Sequence, residues 1–171
     1  MLAAMPRSTR RSALLGLLVL SLAACAPAPI YKTTAQSTPA LPGTVMAAPH
    51  LYQGKDVVWA GRILGVDNFR DHSEIQIQAY PSDSSQRPIL KRQPNTRFVA
   101  VLPGFVEPLD YPVGTPITVA GRFVGTRVYP AGEVRLILPL VSVAQAHRWT
   151  AQEMDAGHTH FQFGIGAGVG F

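Results

Sequence analysis

The sequence predicts an all-β fold: a small OB-like, partly open β-barrel, preceded by a lipidated disordered tether and followed by a Gly-rich tail. Three observations predict it. Apolar runs rich in β-branched residues alternate with clusters of turn-forming residues along the middle of the chain. One glycine-bearing frame occurs in two of those runs. Beyond the amino-terminal region, no stretch carries a convincing helical period.

Residues 1–24 read as a signal peptide. MLAAMPRSTRR has three arginines and no acidic residue. SALLGLLVLSLAAC follows it, and this apolar run is shorter than the ~20 residues a spanning helix needs. Leu22-Ala23-Ala24-Cys25 resembles the bacterial lipobox, in which the cysteine is acylated and the chain is cut before it. Small side chains fit the peptidase, and only a thiol gives the thioether. Cys25 is the only cysteine, so it has no partner for an internal disulfide. Each buried CH₂ contributes about 0.8 kcal/mol, so two or more acyl chains hold a protein stably. The expected partner is therefore membrane lipid, through acylated Cys25. Ala26 stands where an aspartate commonly retains lipoproteins at the inner membrane, which points to the periplasmic face of the outer membrane.

Removing residues 1–24 leaves 147, about one domain. The net charge of +5 falls to about +2, because Arg7, Arg10 and Arg11 leave with the signal. Lys91-Arg92 with Arg87 and Arg97 is the densest basic group that remains. It lacks the aromatic interleaving of a nucleic-acid footprint and reads as a solvated loop flank, so no nucleic-acid partner is expected.

Residues 25–49 comprise the lipidated cysteine and a Pro/Ala-rich segment, which reads as an extended, poorly packed tether. The β-domain is expected over residues 50–150. Its strands run Val57–Val66, Ser73–Tyr80, Arg97–Leu102, Ile117–Gly125 and Glu133–Val143. SEIQIQAY alternates cleanly, with Ile75, Ile77 and Ala79 opposite Gln76 and Gln78. Turns fall at Asp67-Asn68, Pro81–Ser85, Gln93–Thr96 and Pro130-Ala131-Gly132. Pro139 cannot donate to a ladder, so it predicts an edge position, a bulge or two shorter strands. Ser142–Met154 is the best candidate for a short helix.

The repeated frame is x-x-Ala-Gly-Arg-apolar-apolar-Gly, at Val58–Gly65 and Thr118–Gly125. Two copies are too few for a solenoid and fit two strands doing equivalent jobs in one barrel, with glycine allowing each to bend. Arg62 and Arg122 within it are either exposed strand arginines or a paired anion site.

Several residues could carry chemistry. Asp67, Asp71, His72 and Ser73 gather around one turn, while Asp83, Glu107 and Asp110 lie beside prolines. Neither group gives an assignable nucleophile–base or carboxylate pair. Glycine-rich stretches do not lead from strand to helix, as a phosphate loop requires. The expectation is no catalytic residue, no cofactor and no enzyme. His158 and His160 lie two apart and could face one zinc ion, with His147, Glu153 or Asp155 as a third ligand; the other reading is surface histidines without metal.

One family fits the order of these motifs. Gly54, Val58–Ile63, Glu74, Tyr80–Asp83 and Arg87-Pro88 resemble the Slp family of outer-membrane lipoproteins. So do Arg97–Ala100, Gly104–Pro108, Tyr111, Gly114, Ile117–Gly121, Gly132-Glu133, Pro139–Val141 and His147–Trp149. Thr96, Val106-Glu107 and Arg148 depart from the family pattern. The resemblance spans roughly residues 50–150. It implies a β-barrel-like domain outside the bilayer and a broad envelope role linked to starvation or stationary phase, structural or partner-binding. It implies no catalytic set. A small-ligand or metal-binding module on the same anchor is the alternative.

Residues 151–171 form the tail, whose HTHFQFGIGAGVGF places apolar residues at every second position. That pattern resembles the last strand of an outer-membrane barrel, but such a barrel needs at least ~8 strands of ~10 residues. Too few strands are available, and the tail reads as an accessory to the anchored domain.

Overall fold

The computed structural model describes residues 28–156. The lipobox residues Leu22, Ala23, Ala24 and Cys25, and the tail histidines His158 and His160, lie outside the described residues. Five strands form the body: β1 (Asp56–Asn68), β2 (His72–Tyr80), β3 (Arg97–Pro103), β4 (Pro116–Ala131) and β5 (Val134–Arg148). They close in the order β1-β2-β3-β5-β4. Every pairing is antiparallel except that of β3 with β5, the arrangement of an OB barrel. The barrel is closed rather than partly open, because β1 pairs with β4 from Asp56↔Arg122 to Arg62↔Pro116.

The five expected strands are all present, and β4 and β5 run well past their expected ends. Asp67, Asn68, Pro130 and Ala131, expected in turns, lie inside β1 and β4. The β4–β5 turn is Gly132-Glu133, enclosed by the pair Ala131↔Val134. Gly132 has φ 63°, which suits the first central position of a type II′ hairpin. Pro139 does not split β5. It faces Thr126, one step from a bulge at Val124 in β4.

The repeated frame is structurally real. In β1, Gly61, Arg62 and Ile63 pair with Ala79, Gln78 and Ile77; Leu64 is extra, and Gly65 resumes against Gln76. In β4, Gly121, Arg122 and Phe123 pair with Val143, Ser142 and Val141; Val124 is extra, and Gly125 resumes against Leu140. Each copy therefore carries a glycine, two ladder pairs and a bulge, a device that coils a strand sharply. A Cβ on Gly61 would strike the Gln78 carbonyl and the Ile77 side chain, and one on Gly121 would strike the Ser142 carbonyl and Val141. The arginines of the frame do not meet. Their rows lie six positions apart along the β1–β4 ladder, about 20 Å, and Arg122 pairs with Asp56 at 3.4 Å. The paired anion site is thereby excluded.

Val57, Trp59 and Ile63 of β1 fill the interior with Ile75, Ile77, Phe98, Ile117, Val119 and Phe123. Trp59 meets Phe98 edge to face at 5.2 Å. The segment expected to be a tether contributes to this core. Within it, α1 (Pro42–Ala47) buries Val45 completely, and the Ala40 carbonyl accepts the Trp59 indole N–H at 2.8 Å. Ser37 bridges to Asp56, and Gly43 N–H donates to Asn95. The folded body thus begins well before residue 50. Of the expected helix Ser142–Met154, the part through Arg148 is strand, and only α2 (Ala151–Asp155) is helical, capped by a Thr150–Glu153 box.

Gly61→Ala and Gly121→Ala should each lower stability by about 1–3 kcal/mol or more through overpacking. Gly65→Ala, where nothing lies within 4 Å, should stay within about 0.5 kcal/mol of wild type in urea unfolding.

Candidate functional site

Two polar constellations stand out, both outside the barrel core. The first is a clasp at Gln86-Arg87, in the long β2–β3 connection. Asp83 shapes the turn: its Oδ1 accepts from Ser85 N–H and Arg87 N–H at 2.9 and 3.0 Å. Gln86 has φ 68°, the only non-glycine residue among those described with a positive φ. Such a conformation is strained and persists where surrounding bonds over-determine it. Here the bonds are plain. Tyr31 N–H donates to Gln86 Oε1 at 2.8 Å, Gln86 Nε2 donates to Tyr31 O at 2.9 Å, and Thr118 Oγ1 donates to Gln86 O at 2.6 Å.

Arg87 holds the other end of the chain. Its Nε donates to Asp83 Oδ2 at 2.9 Å, and its Nη1 reaches the carbonyls of Glu153 and Ala156 at 2.6 Å each. A cation suits the carbonyl end of a helix. The basic group seen in the sequence therefore divides: Arg87 is consumed structurally, while Lys91 and Arg92 stay exposed. The connection also covers the outer face of β1 and β4. Thr118 is buried there although its neighbours Ile117 and Val119 face the core, and Trp149 Nε1 donates to its hydroxyl at 2.8 Å.

The second constellation surrounds Glu74. Strand alternation places Glu74 on the outer face with Gln76 and Gln78, yet it is only 1% exposed. The long β4–β5 hairpin folds back and covers it. Arg127 Nη1 and His72 Nε2 contact Oε1, and Tyr129 OH donates to Oε2 at 2.7 Å. Val99, Leu138 and Leu140 form a second apolar cluster under the same hairpin, with Tyr129 and Leu136 against it. Burial, then the bond to Glu74, pushes the Tyr129 hydroxyl well above the usual phenol range. Asp71, hydrogen-bonded to His72 Nδ1 at 2.7 Å, raises the imidazole pKa, with Glu74 adding to the effect.

The turn residues singled out in the sequence separate by face. His72 and Glu74 share one side of β2, and Ser73 points to the other. Ser73 Oγ lies 2.7 Å from Gly104 O and accepts Val106 N–H at 3.1 Å, so it ties the β1–β2 turn to the β3–β4 connection. It makes no contact with His72 that would form a nucleophile–base pair. His147 and Glu153, proposed as third metal ligands, do meet at 3.1 Å. The Glu153 carboxyl is held below the usual carboxylate range first by Thr150, then by His147. No group of three or more metal-binding side chains occurs among the described residues.

Two cavities of about 450 Å³ lie on the outer wall. One sits beside Arg87, Leu90 and Met154; the other lies between residues 32–37 and the Asp56–Arg122 pair. Glu74, Arg127, Tyr129 and the Gln86 clasp were not foreseen from sequence. The one signal present was the acidic residue heading an otherwise amide-bearing outer face.

Removing one partner of a buried ion pair costs ~3–5 kcal/mol. Arg127 is half exposed, so Arg127→Ala should fall at or below the low end of that range in urea unfolding. His72 has a folded pKa above its unfolded value of about 6.5, so its contribution is complete below that pH and is lost as pH rises through the folded pKa. Stability should therefore decline from mildly acid to neutral pH, and His72→Gln should flatten that slope.

Comparison with known proteins places the chain. The "Uncharacterized lipoprotein YeaY" of Escherichia coli (strain K12) is 28% identical over 147 residues, which is 85% of this chain and 76% of that protein. The crystal structure of a small single-stranded DNA-binding protein from Streptomyces coelicolor is similar with a TM-score of 0.38 and 12% identity, over 58% of this chain and 97% of that one. The family model described as "Outer membrane lipoprotein Slp family" matches residues 22–165. Nearly the whole chain, barrel and clasp included, thus matches one pattern, and the protein belongs to the Slp family of outer-membrane lipoproteins.

Proposed function

We propose that this lipoprotein is cut before Cys25, acylated there, and held at the periplasmic face of the outer membrane, where the barrel binds an envelope protein. Residues 1–24 are the signal and residues 151–171 the tail. The tether proper is shorter than residues 25–49, because Tyr31 is already fastened to the barrel. The Leu22–Cys25 motif and the family membership support the anchor.

The observation that carries partner binding is an apolar rim at one end of the barrel. Phe69 in the β1–β2 turn and Phe105, Leu109 and Val113 in the β3–β4 connection are all exposed, with Leu109 at 85% and Phe105 at 69%. Asn68 Nδ2 donates to Val106 O at 3.0 Å and Gly104 N–H to Asp71 O at 2.9 Å, which fix the two loops together. Large apolar side chains exposed on two joined loops support an interaction surface there. Structural support of the envelope during starvation or stationary phase is the role this binding would serve.

Cys25→Ala should abolish acyl incorporation and release the protein from membranes. A photo-crosslinker at Leu109 should give a discrete adduct in intact cells, and Phe105→Asp with Val113→Asp should remove it without releasing the protein. Loss of membrane association in that double variant would make the rim a lipid contact instead.

A further inference from the structure

The cavity between residues 32–37 and the Asp56–Arg122 pair is half tether and half barrel wall. Its floor follows from strand alternation. Val57 and Trp59 point into the core, so Val58 points out, beside its ladder partner Ala120. A bulge leaves Ala144 as an extra residue of β5 between Val143 and Gln145, and it joins the same floor. The next row across the three strands is polar, with Arg122 paired to Asp56 on one side and to Ser142 on the other. Arg122 Nε donates to Asp56 Oδ1 at 3.4 Å, and Thr34 Oγ1 donates to Asp56 Oδ2 at 2.9 Å. Both carboxylate oxygens are thereby engaged, whereas neither Nη group of Arg122 is engaged among the described residues. Lys32 adds a second cation from the tether side. That side is held by Thr38 N–H to Asp56 O at 2.9 Å and Asp56 N–H to Gln36 O at 3.2 Å.

We propose that this cavity binds a small aliphatic carboxylate, with its head between Arg122 and Lys32 and its chain on Val58, Ala120 and Ala144. A guanidinium with both Nη groups free matches the two oxygens of a carboxylate. Lys32 and Arg122 against Asp56 leave one net positive charge in the lining, which favours a monoanion over a zwitterion or a cation. A sugar or a nucleobase would want an aromatic face to stack on, and none lines the cavity among the described residues. The volume, about 450 Å³, falls within the ~300–1,000 Å³ of small-molecule sites. Because Lys32 belongs to the tether and Arg122 to the barrel, the bound acid also pins one to the other.

Sodium hexanoate should be titrated calorimetrically into the full chain held in vesicles, with the heat of the vesicles alone subtracted. A saturable signal at one site is expected. Arg122→Ala should weaken it at least several-fold, and Arg62→Ala, on the same barrel but away from the cavity, should leave it unchanged. Arg122→Ala also removes a partner of Asp56, so Ala144→Phe supplies a second variant that fills the floor and keeps every charge. It should abolish binding while the urea midpoint holds. Hexanoate should also slow tryptic cleavage after Lys32 several-fold in the wild type and not in Ala144→Phe. No saturable heat at millimolar hexanoate overturns the proposal, as does binding that survives Ala144→Phe. Equal affinity for hexylamine overturns the carboxylate head, and equal affinity for inorganic phosphate overturns the aliphatic chain. Cleavage after Lys32 that saturating hexanoate leaves unchanged overturns the placement between tether and barrel.

Discussion

At Gly61 and Gly121 a strand passes so close to its neighbour's carbonyl that no side chain fits between them. Both positions continue the inward-facing series of their strands, after Val57 and Trp59 in β1 and after Ile117 and Val119 in β4. A strand that coils there can serve two partners in turn. β1 pairs with β4 over its first half and with β2 over its second, and Gly61 sits in the overlap. Closure follows from this exchange, and with it the enclosed space that Trp59, Phe98 and Phe123 occupy. The bulges that follow each glycine bend the strands further. In β4 the result is a long hairpin that leaves the barrel and returns over β2 and β3, which is what buries Glu74.

The strands were legible because their inward residues alternate, and the repeated frame marks the coiling positions. What escaped the sequence shares one physical cause. Residues 126–131 contain a proline and mostly exposed side chains, so no local pattern marks them as strand. They are strand because each half of the hairpin supplies the other's hydrogen bonds. The segment before residue 50 looked unpacked because its composition is poor in large apolar groups. One buried valine and one carbonyl offered to Trp59 suffice to seat it. Glu74 was legible as an outward residue and illegible as a buried one, since its cover comes from more than fifty positions away. Gln86 carries no signal at all, as its left-handed backbone is imposed by Tyr31 and Thr118.

The apolar rim and the Gln86-Arg87 clasp are separate in the fold. The apolar rim is built where β2 begins, at the β1–β2 and β3–β4 connections. The clasp belongs to the connection that leaves the opposite end of β2 and lies against the outer wall of β1 and β4. The buried Glu74 network lies elsewhere again, under the hairpin, and its work is to hold that hairpin down.

The order of contacts along the amino-terminal segment has a mechanical consequence. A pull on the chain from Cys25 reaches the two Tyr31–Gln86 bonds first, then the Thr34–Asp56 contact and the Thr38–Asp56 backbone bond, and only later the carbonyl held by Trp59. These fastenings load one after another, as in a zipper, whereas the closed ladders of the barrel share load in parallel. The segment's contacts would therefore yield one at a time under load. Under the proposed anchoring at Cys25, tension on this segment would release the bonds in steps, lengthening the reach of the domain while the barrel itself stays intact.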